Sequence, residues 1–177
     1  MIKITKRSTI EDVAAIVSQQ LTDAGISAVL SGGAVVSIYT ENEYESKDLD
    51  FVTGEQIKTI AKALGEIGFE KSAGRHFNHP DTEIYVEFPS APLAIGEEVI
   101  TAWDKRKTKN GTIQILTPTQ CVMDRLAAYI HWNDPQSLDQ AGMVAKKQKV
   151  NLAKIKSWAE AERGLAKFED FVSRLKG

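Results

Sequence analysis

Cysteine and histidine are scarce in this sequence. Its 177 residues include one cysteine, Cys121, and three histidines. A single cysteine excludes an internal disulfide framework and a zinc site built from several thiolates. Cys121 lies in a predicted helix, where a small buried apolar residue is a more frequent role for cysteine than a nucleophile. His76 and His79 have no two further ligands at suitable spacing, so a loop or hairpin role is favoured over zinc binding there.

The sequence also lacks a strong charge imbalance and a long apolar run. The formal net charge is -2 at pH 7, which gives no general attraction to nucleic acid. No apolar run is long enough to span a bilayer, and the first residues contain no apolar segment of signal-peptide length. These absences predict a cytoplasmic protein with no membrane partner and no strong sign of nucleic-acid binding.

Strand and helix patterns alternate in the first part of the chain and give way to helices after residue 116. Strands are predicted at residues 27–31, 47–52, 69–72, 76–77 and 83–88, and a hairpin is predicted to join 99–103 to 112–116 across Asn110–Gly111. This order predicts an α+β fold, in which a mixed β-sheet is flanked by helices and followed by a C-terminal helical region. We therefore expect an α/β domain at residues 1–116 and a helical region at residues 117–177 packed on it.

Three pairs of residues predict where helices begin. In each pair, a side-chain hydroxyl can accept a backbone N–H three residues later, and the residue at that later position can reach back to the first. The pairs are Ser8 with Glu11, Thr53 with Gln56, and Thr117 with Gln120.

Two carboxylates alternate with apolar residues in one predicted strand. Within Lys47–Val52, Asp48 and Asp50 point to one face, and Leu49 and Phe51 point to the other. Two like charges at this spacing repel each other unless a proton or a cation neutralises them. Mg²⁺ is a hard cation that prefers oxygen ligands and substrate phosphates. The pattern therefore predicts a metal site on this strand.

Two further features accompany this strand. Gly32 and Gly33 lie between a predicted strand and a predicted helix, where glycine allows a ligand to approach the backbone and free amides favour an anion such as phosphate. A tight turn without a ligand is an equally frequent role for such a pair. Glu87 lies on a later strand with the same alternation and would join Asp48 and Asp50 if the two strands were neighbours. Glu83 is a rival on the same face, and Glu87 is preferred because apolar residues flank it on both sides.

Ser31–Gly32–Gly33, then Asp48–Leu49–Asp50, then Glu87 resemble, in this order, the motifs of the nucleotidyltransferase superfamily, the DNA-polymerase-β-like fold. The resemblance covers about residues 9–90. The segment from Thr117 to Ala145 is similar to the helical region of small prokaryotic members, several of which belong to toxin–antitoxin or phage-defence systems. Two positions depart from the family pattern, since Gly33 stands where many members have serine and Glu87 stands where aspartate is commoner.

The resemblance implies a metal-dependent nucleotidyltransferase. Such an enzyme moves a nucleoside monophosphate from a nucleoside triphosphate to an acceptor hydroxyl and releases pyrophosphate. The implied cofactor is Mg²⁺, as two ions for which Mn²⁺ can substitute. The implied catalytic and metal-binding residues are Asp48, Asp50 and Glu87, and the implied nucleotide-binding residues are Ser31, Gly32 and Gly33. A protein, a tRNA and a small molecule are all open as acceptors, although the chain lacks the broad basic surface expected of a tRNA enzyme.

Other interpretations stay open. The same fold can serve as a catalytically inactive antitoxin or regulator, with a protein partner from a toxin–antitoxin-type operon. A glycosyltransferase that holds a nucleotide-sugar through Asp–x–Asp fits less well, because it leaves Gly32–Gly33 unexplained. Arg75 and His76 lie between the two acidic strands in sequence and are candidates to reach the triphosphate. A basic cluster formed by Lys105, Arg106, Lys107 and Lys109 is interpreted as a solvated hairpin turn, with contact to an acidic acceptor as the alternative.

Overall fold

A computed structural model describes residues 2–177 of the chain. Within this range the chain forms seven helices and nine strands. The helices are α1 (Ile10–Asp23), α2 (Gly33–Tyr39), α3 (Ile57–Gly65), α4 (Pro118–Trp132), α5 (Pro135–Lys147), α6 (Leu152–Ala161) and α7 (Leu165–Lys176). The strands are β1 (Val29–Ser31), β2 (Asp48–Val52), β3 (Glu70–Lys71), β4 (His76–His79), β5 (Thr82–Glu87), β6 (Ala94–Ile95), β7 (Glu98–Val99), β8 (Asp104–Thr108) and β9 (Gly111–Ile115).

Seven of the strands form one mixed sheet in the order β3-β4-β5-β2-β1-β9-β8. Strand β2 lies near its centre and pairs antiparallel with β1 and parallel with β5. Strands β6 and β7 form a separate two-stranded ribbon. The mixed sheet with flanking helices and four C-terminal helices confirms the predicted fold class.

The core joins the sheet to helices from both parts of the chain. Leu49 and Phe51 of β2 are fully buried, while Asp48 and Asp50 on the opposite face of the strand stay partly exposed. Helix α1 packs against β9 and α3, and α2 packs against β2, α4 and α5. One hydrophobic cluster includes Leu30 from β1 and Leu126 from α4. The division into two domains at residue 116 stays a prediction.

Helix boundaries agree with the predicted caps in one case and differ in two. Thr117 and Gln120 form the predicted reciprocal cap of α4. At α1 the pair is Thr9 with Asp12 rather than Ser8 with Glu11, one residue later than predicted. Thr53 does not cap α3, because the helix begins four residues later. The Thr53 hydroxyl accepts the N–H of Glu55 instead.

The predicted hairpin is correct in its second strand and wrong in its first. Strand β9 pairs with β8, Asp104–Thr108, so residues 99–103 are not the partner strand. Lys105, Arg106 and Lys107 therefore belong to an edge strand rather than to a hairpin turn. Cationic side chains on an edge strand hinder pairing with another sheet. Arg106 also forms an ion pair with Glu11 of α1.

None of the helices in the described range has both the length and the apolar character needed to cross a membrane.

Candidate active site

Four residues on four neighbouring strands lie in register across the sheet. Ser31 of β1 is opposite Asp50 of β2, Asp50 is opposite Glu87 of β5, and Glu87 is opposite His76 of β4. Adjacent strands lie about 4.8 Å apart, so the row extends over roughly 14 Å. The Gly32–Gly33 turn directly follows Ser31 and lies at one end of this row. The other end is formed by His76.

Asp48, Asp50 and Glu87 form a cluster of carboxylates in the middle of the row. One carboxylate oxygen from each residue lies within 4.8 Å of the other two. Burial, together with the negative charges of Asp48 and Glu87, raises the pKa of Asp50 to about 7. A half-buried cluster of like charges is electrostatically unfavourable unless a proton or a cation is shared. The donor set of three carboxylates suits a hard divalent cation such as Mg²⁺.

At Gly32 the backbone approaches this cluster closely. Its φ of +74° lies in the left-handed region, and a Cβ atom built there would lie 2.6 Å from Oδ2 of Asp50. A side chain at position 32 would therefore displace the Asp50 carboxylate. The Ser31 hydroxyl donates to the backbone carbonyl of Asp50 at 3.3 Å, so its proton is directed to the sheet. The backbone amides of Gly32 and Gly33 lie at the start of α2, where N–H groups have no partner within the helix.

Ser46 holds the Asp48 carboxylate in place. Its Oγ donates to Oδ1 of Asp48 at 2.8 Å, and its backbone N–H donates to Oγ of Ser37 in α2 at 2.9 Å. Ser46 belongs to the polar segment between α2 and β2. Sequence reasoning missed Ser46, because its contact depends on how the loop returns to α2 and carries no signal in the local pattern.

Glu83, the rival third carboxylate, lies outside the cluster. It pairs with Lys47 at 2.6 Å, and its side chain is 83% exposed. Its carboxylate is paired with the Lys47 ammonium at the rim of the site and does not contribute to the cluster with Asp48 and Asp50. The preference for Glu87 as the member of the cluster agrees with this geometry.

His76 contacts Glu87 from the neighbouring strand. Nδ1 of His76 lies 3.0 Å from Oε1 of Glu87, and the imidazole stacks on the ring of Tyr85 with centroids 4.4 Å apart. Arg75 donates from Nε to the carbonyl of Phe88 at 2.7 Å. The sequence placed Arg75 and His76 near the triphosphate. The structure places them on the side of Glu87 that is remote from the Gly32–Gly33 turn.

Arg125 of α4 adds a buried positive charge near the cluster. It pairs with Asp124 at 2.6 Å and donates to Oε1 of Gln140 at 3.4 Å. Its charge opposes the rise in the pKa of Asp50. Its Nε is a buried donor with no hydrogen-bond partner within residues 2–177. The Asp124–Arg125 ion pair is thus largely buried and lies beside the site.

The comparison with known proteins rests on structure alone. No protein-family model matches the sequence, and no curated protein matches it. A solution structure of the antibiotic-resistance factor ANT(2'')-Ia has a TM-score of 0.51 and 10% sequence identity, over 94% of each chain. A crystal structure of ANT(2'')-Ia in complex with adenylyl-2''-tobramycin has a TM-score of 0.49 and 10% identity, over 93% of this chain and 97% of that one.

ANT(2'')-Ia is an aminoglycoside nucleotidyltransferase of the nucleotidyltransferase superfamily. The similarity of its solution structure over almost the whole of both chains confirms the fold that the motifs predicted. A relation to the toxin–antitoxin branch stays a prediction.

Proposed function

We propose that this protein is a metal-dependent nucleotidyltransferase that moves a nucleoside monophosphate from a nucleoside triphosphate to the hydroxyl of a small-molecule acceptor and releases pyrophosphate. The observation that carries the proposal is the cluster of Asp48, Asp50 and Glu87 beside the Gly32–Gly33 turn. The fold shared with an antibiotic-resistance factor of this superfamily supports a small molecule over a protein or a tRNA as acceptor. The cytoplasmic location expected from the sequence is part of the same proposal.

The metal sites of the proposal are built from the three carboxylates. Asp48 and Asp50 would hold the ion that binds the nucleotide. They would also ligate a second ion, whose site Glu87 would complete. Their oxygens lie close enough to coordinate common ions, and Ser46 fixes the orientation of Asp48. When bound, Mg²⁺ supplies positive charge to the oxygens on which negative charge develops during phosphoryl transfer. Mn²⁺ accepts the same oxygen ligands and is expected to substitute.

The backbone at the end of β1 would bind the phosphates. Gly32 and Gly33 form the start of α2, where backbone N–H groups have no partner within the helix. Backbone N–H groups in such turns bind phosphate oxygens. The absence of the family serine at position 33 places this contact on the backbone, because the Ser31 hydroxyl is directed to the sheet. The β- and γ-phosphates would therefore lie at the β1 end of the row.

Glu87 would receive the proton in the transfer step. The acceptor oxygen forms a bond to the α-phosphorus, and the bond from that phosphorus to the oxygen that bridges to the β-phosphate breaks. Pyrophosphate leaves with the electron pair of that bond. The hydroxyl proton passes to the carboxylate of Glu87, a contribution of the general-base kind. His76 keeps this carboxylate fixed through its 3.0 Å contact.

Calorimetric titration with each nucleoside triphosphate in the presence of Mg²⁺ tests the proposal. Wild-type protein is expected to bind at least one triphosphate, and to bind it only with the metal. Asp50→Asn is expected to lose this binding and the release of pyrophosphate, because the shared metal ligand is gone. Asp81→Asn is the matched control, since Asp81 is an exposed aspartate next to β5 and outside the cluster.

Failure of every triphosphate to bind folded wild-type protein would overturn the proposal. The inactive antitoxin or regulator would then be the better interpretation, and its protein partner stays a prediction. One observation speaks against that alternative. A vestigial site would keep the burial and the charge repulsion that together raise the pKa of Asp50 to about 7, and would gain nothing from them.

A further inference from the structure

A cleft opens on the side of Glu87 that faces away from the Gly32–Gly33 turn. It has a volume of about 770 Å³ and is lined by residues 72, 73, 75, 76 and 87–89. Clefts that hold small molecules commonly measure about 300 to 1,000 Å³. Glu87 is shared between this cleft and the carboxylate cluster. The cleft therefore adjoins the proposed reaction centre without being part of the proposed nucleotide site.

The order of the strands determines which substrate this side receives. In phosphoryl transfer the attacking and leaving oxygens lie roughly in line on opposite sides of the phosphorus. If the β- and γ-phosphates lie at the β1 end of the row, pyrophosphate leaves toward β1. The attacking hydroxyl must then arrive from the opposite side, which is the side of Glu87 on β5 and of β4 beyond it. The cleft lies at that position.

The charges in the cleft restrict the chemistry of the acceptor. Arg75 is its cationic residue, and Glu87 is the one carboxylate in its lining. Arg75 uses Nε to bind the Phe88 carbonyl, and it forms no ion pair with any residue in the range 2–177. The two terminal nitrogens of the guanidinium are left to bind a ligand, and their planar fork matches the two oxygens of a carboxylate or phosphate.

A polycationic acceptor does not fit this lining. Glu87 is the lining's one negative group and is committed to the reaction centre, so no further carboxylate would pair with a second or third ammonium group. Arg75 would repel such a molecule. A hydroxyl compound with an anionic group would instead place that group on Arg75 and its hydroxyl beside Glu87.

We propose that this cleft is the acceptor subsite and that it selects a small hydroxyl compound carrying a carboxylate or phosphate, which Arg75 binds. The inference rests on the proposed nucleotidyl transfer and specifies its acceptor. The anionic group stays outside the reaction, since the hydroxyl oxygen alone forms the new bond to phosphorus.

Binding of matched compounds tests this inference. The protein is first saturated with Mg²⁺ and a non-hydrolysable triphosphate analogue, so that the phosphate site of the nucleotide is occupied. Glycerol, glycerol 3-phosphate, glycerate and tobramycin are then titrated by calorimetry. We expect glycerol 3-phosphate or glycerate to bind at least about tenfold more tightly than glycerol, as a charge-assisted contact implies. The comparison of these two anions distinguishes a phosphate from a carboxylate as the preferred group.

Two variants assign the effect to Arg75. Arg75→Gln is expected to abolish the preference for glycerol 3-phosphate or glycerate over glycerol. Its affinity for the triphosphate analogue is expected to stay within about twofold of wild type. Lys71→Gln is the control, because Lys71 is an exposed cation on the adjacent strand β3 and does not line the cleft. Arg75→Glu is expected to reverse the preference toward tobramycin.

Three results would overturn the inference. These are equal binding of glycerol and its anionic counterparts, no binding of either anion at millimolar concentration, and an anion preference that survives in Arg75→Gln. Any of them with intact metal-dependent binding of the triphosphate removes the acceptor assignment alone. Loss of triphosphate binding in wild-type protein removes the proposed function, and the inference falls with it.

Discussion

Glu83 and Glu87 share a strand but meet different surroundings, and this difference is testable. Glu87 belongs to the carboxylate cluster, whereas Glu83 is paired with Lys47 at the rim. Glu87→Gln is expected to slow nucleotide transfer by on the order of 10²- to 10⁴-fold, because it removes a metal ligand and the proton acceptor. Glu83→Gln is expected to stay within about twofold of wild type. Pyrophosphate release measures both, and an equal loss in the two variants would contradict the assignment.

Gly32 provides a second test, with Gly25 as its control. Both glycines have a left-handed φ, +74° at Gly32 and +76° at Gly25, but a Cβ at Gly25 would meet nothing within 4 Å. Alanine at position 25 carries a backbone cost of about 1 to 2 kcal/mol. Gly32 has a ψ of -155°, a region that is essentially restricted to glycine, so alanine there costs about 1 to 3 kcal/mol. Alanine at position 32 would also push Oδ2 of Asp50 away from the cluster.

We therefore expect both variants to lower the free energy of unfolding, Gly32→Ala by at least as much as Gly25→Ala, each measured by urea denaturation. Only Gly32→Ala is expected to lose Mg²⁺-dependent triphosphate binding. If Gly25→Ala lost binding to the same extent, the effect would belong to stability in general and not to the close approach at Asp50.

At the residue scale, the sequence predicts some features of the site and misses others. The alternation in β2 correctly puts Asp48 and Asp50 on one face and Leu49 on the other, because the two-residue period of a strand is a local property. The contacts of Ser46 with Asp48 and of His76 with Glu87 were not predicted. They depend on a loop returning to α2 and on which strand lies beside β5, and neither is encoded in local spacing.

At the level of elements, capping patterns predict the start of α4 correctly and miss the starts of α1 and α3. At α1, Ser8 with Glu11 and Thr9 with Asp12 both fit the reciprocal cap. The helix uses the later pair, so that Ile10 becomes its first residue and is buried. At α4, Pro118 follows Thr117 and has no N–H to donate, which favours a helix start at that residue.

The cap of α4 gives an element-level prediction. The Thr117 hydroxyl accepts the N–H of Gln120 at 3.1 Å. Thr117→Ala is expected to lower the free energy of unfolding by about 0.5 to 2 kcal/mol, since that N–H loses its partner. Thr117→Ser keeps the hydroxyl and is expected to retain wild-type stability to within about 0.5 kcal/mol. Urea denaturation measures both, and an equally large loss in the serine variant would show that the methyl group, not the cap, stabilises the helix.

Strand pairing is the element-level feature that the sequence predicts least well. Residues 99–103 include more apolar side chains than the charged segment of β8, so hydrophobicity favoured the wrong strand. In the structure the turn consists of Lys109 and Asn110, and Gly111 already belongs to β9 opposite Thr108. A two-residue turn joins its strands directly, and this geometry selects Asp104–Thr108. Turn position was therefore a better guide to this pairing than apolar content.

At the scale of the whole molecule, strand order determines what the site residues can do. The parallel pairing of β2 with β5 brings Glu87 opposite Asp50, and the pairing of β5 with β4 brings His76 beyond Glu87. Sequence order alone places Arg75 and His76 between the acidic strands. The sheet instead places them outside, on the side where an acceptor would enter. Order along the chain and order across a mixed sheet are independent, so this position required the structure.

The cluster also couples the stability of the whole protein to pH. In the metal-free protein the pKa of Asp50 is raised to about 7, whereas a carboxyl group in an unfolded chain titrates near about 4. The folded protein retains a proton that the unfolded chain releases, so the free energy of unfolding falls as pH rises from about 4 to about 7. Asp50→Asn removes this loss. Because Asp50 is only partly buried, we expect the variant to be more stable by about 1 to 3 kcal/mol near pH 8, with a smaller difference toward pH 4.

Mg²⁺ with the triphosphate is expected to reverse this order of stability, so that wild-type protein becomes more stable than Asp50→Asn. The metal binds deprotonated carboxylates, so its affinity rises with pH and its binding releases a proton. At about 100 times the dissociation constant, a ligand that binds only the folded state adds about 2.7 kcal/mol. Wild type should gain this and Asp50→Asn should not, whereas Glu83→Gln should follow wild type. Urea unfolding in EDTA and in Mg²⁺ with triphosphate, near about pH 5 and about pH 8, measures the four combinations. Wild-type protein that loses stability at high pH in EDTA and recovers none with the ligands would carry an uncompensated charge cluster, as the inactive binding protein would.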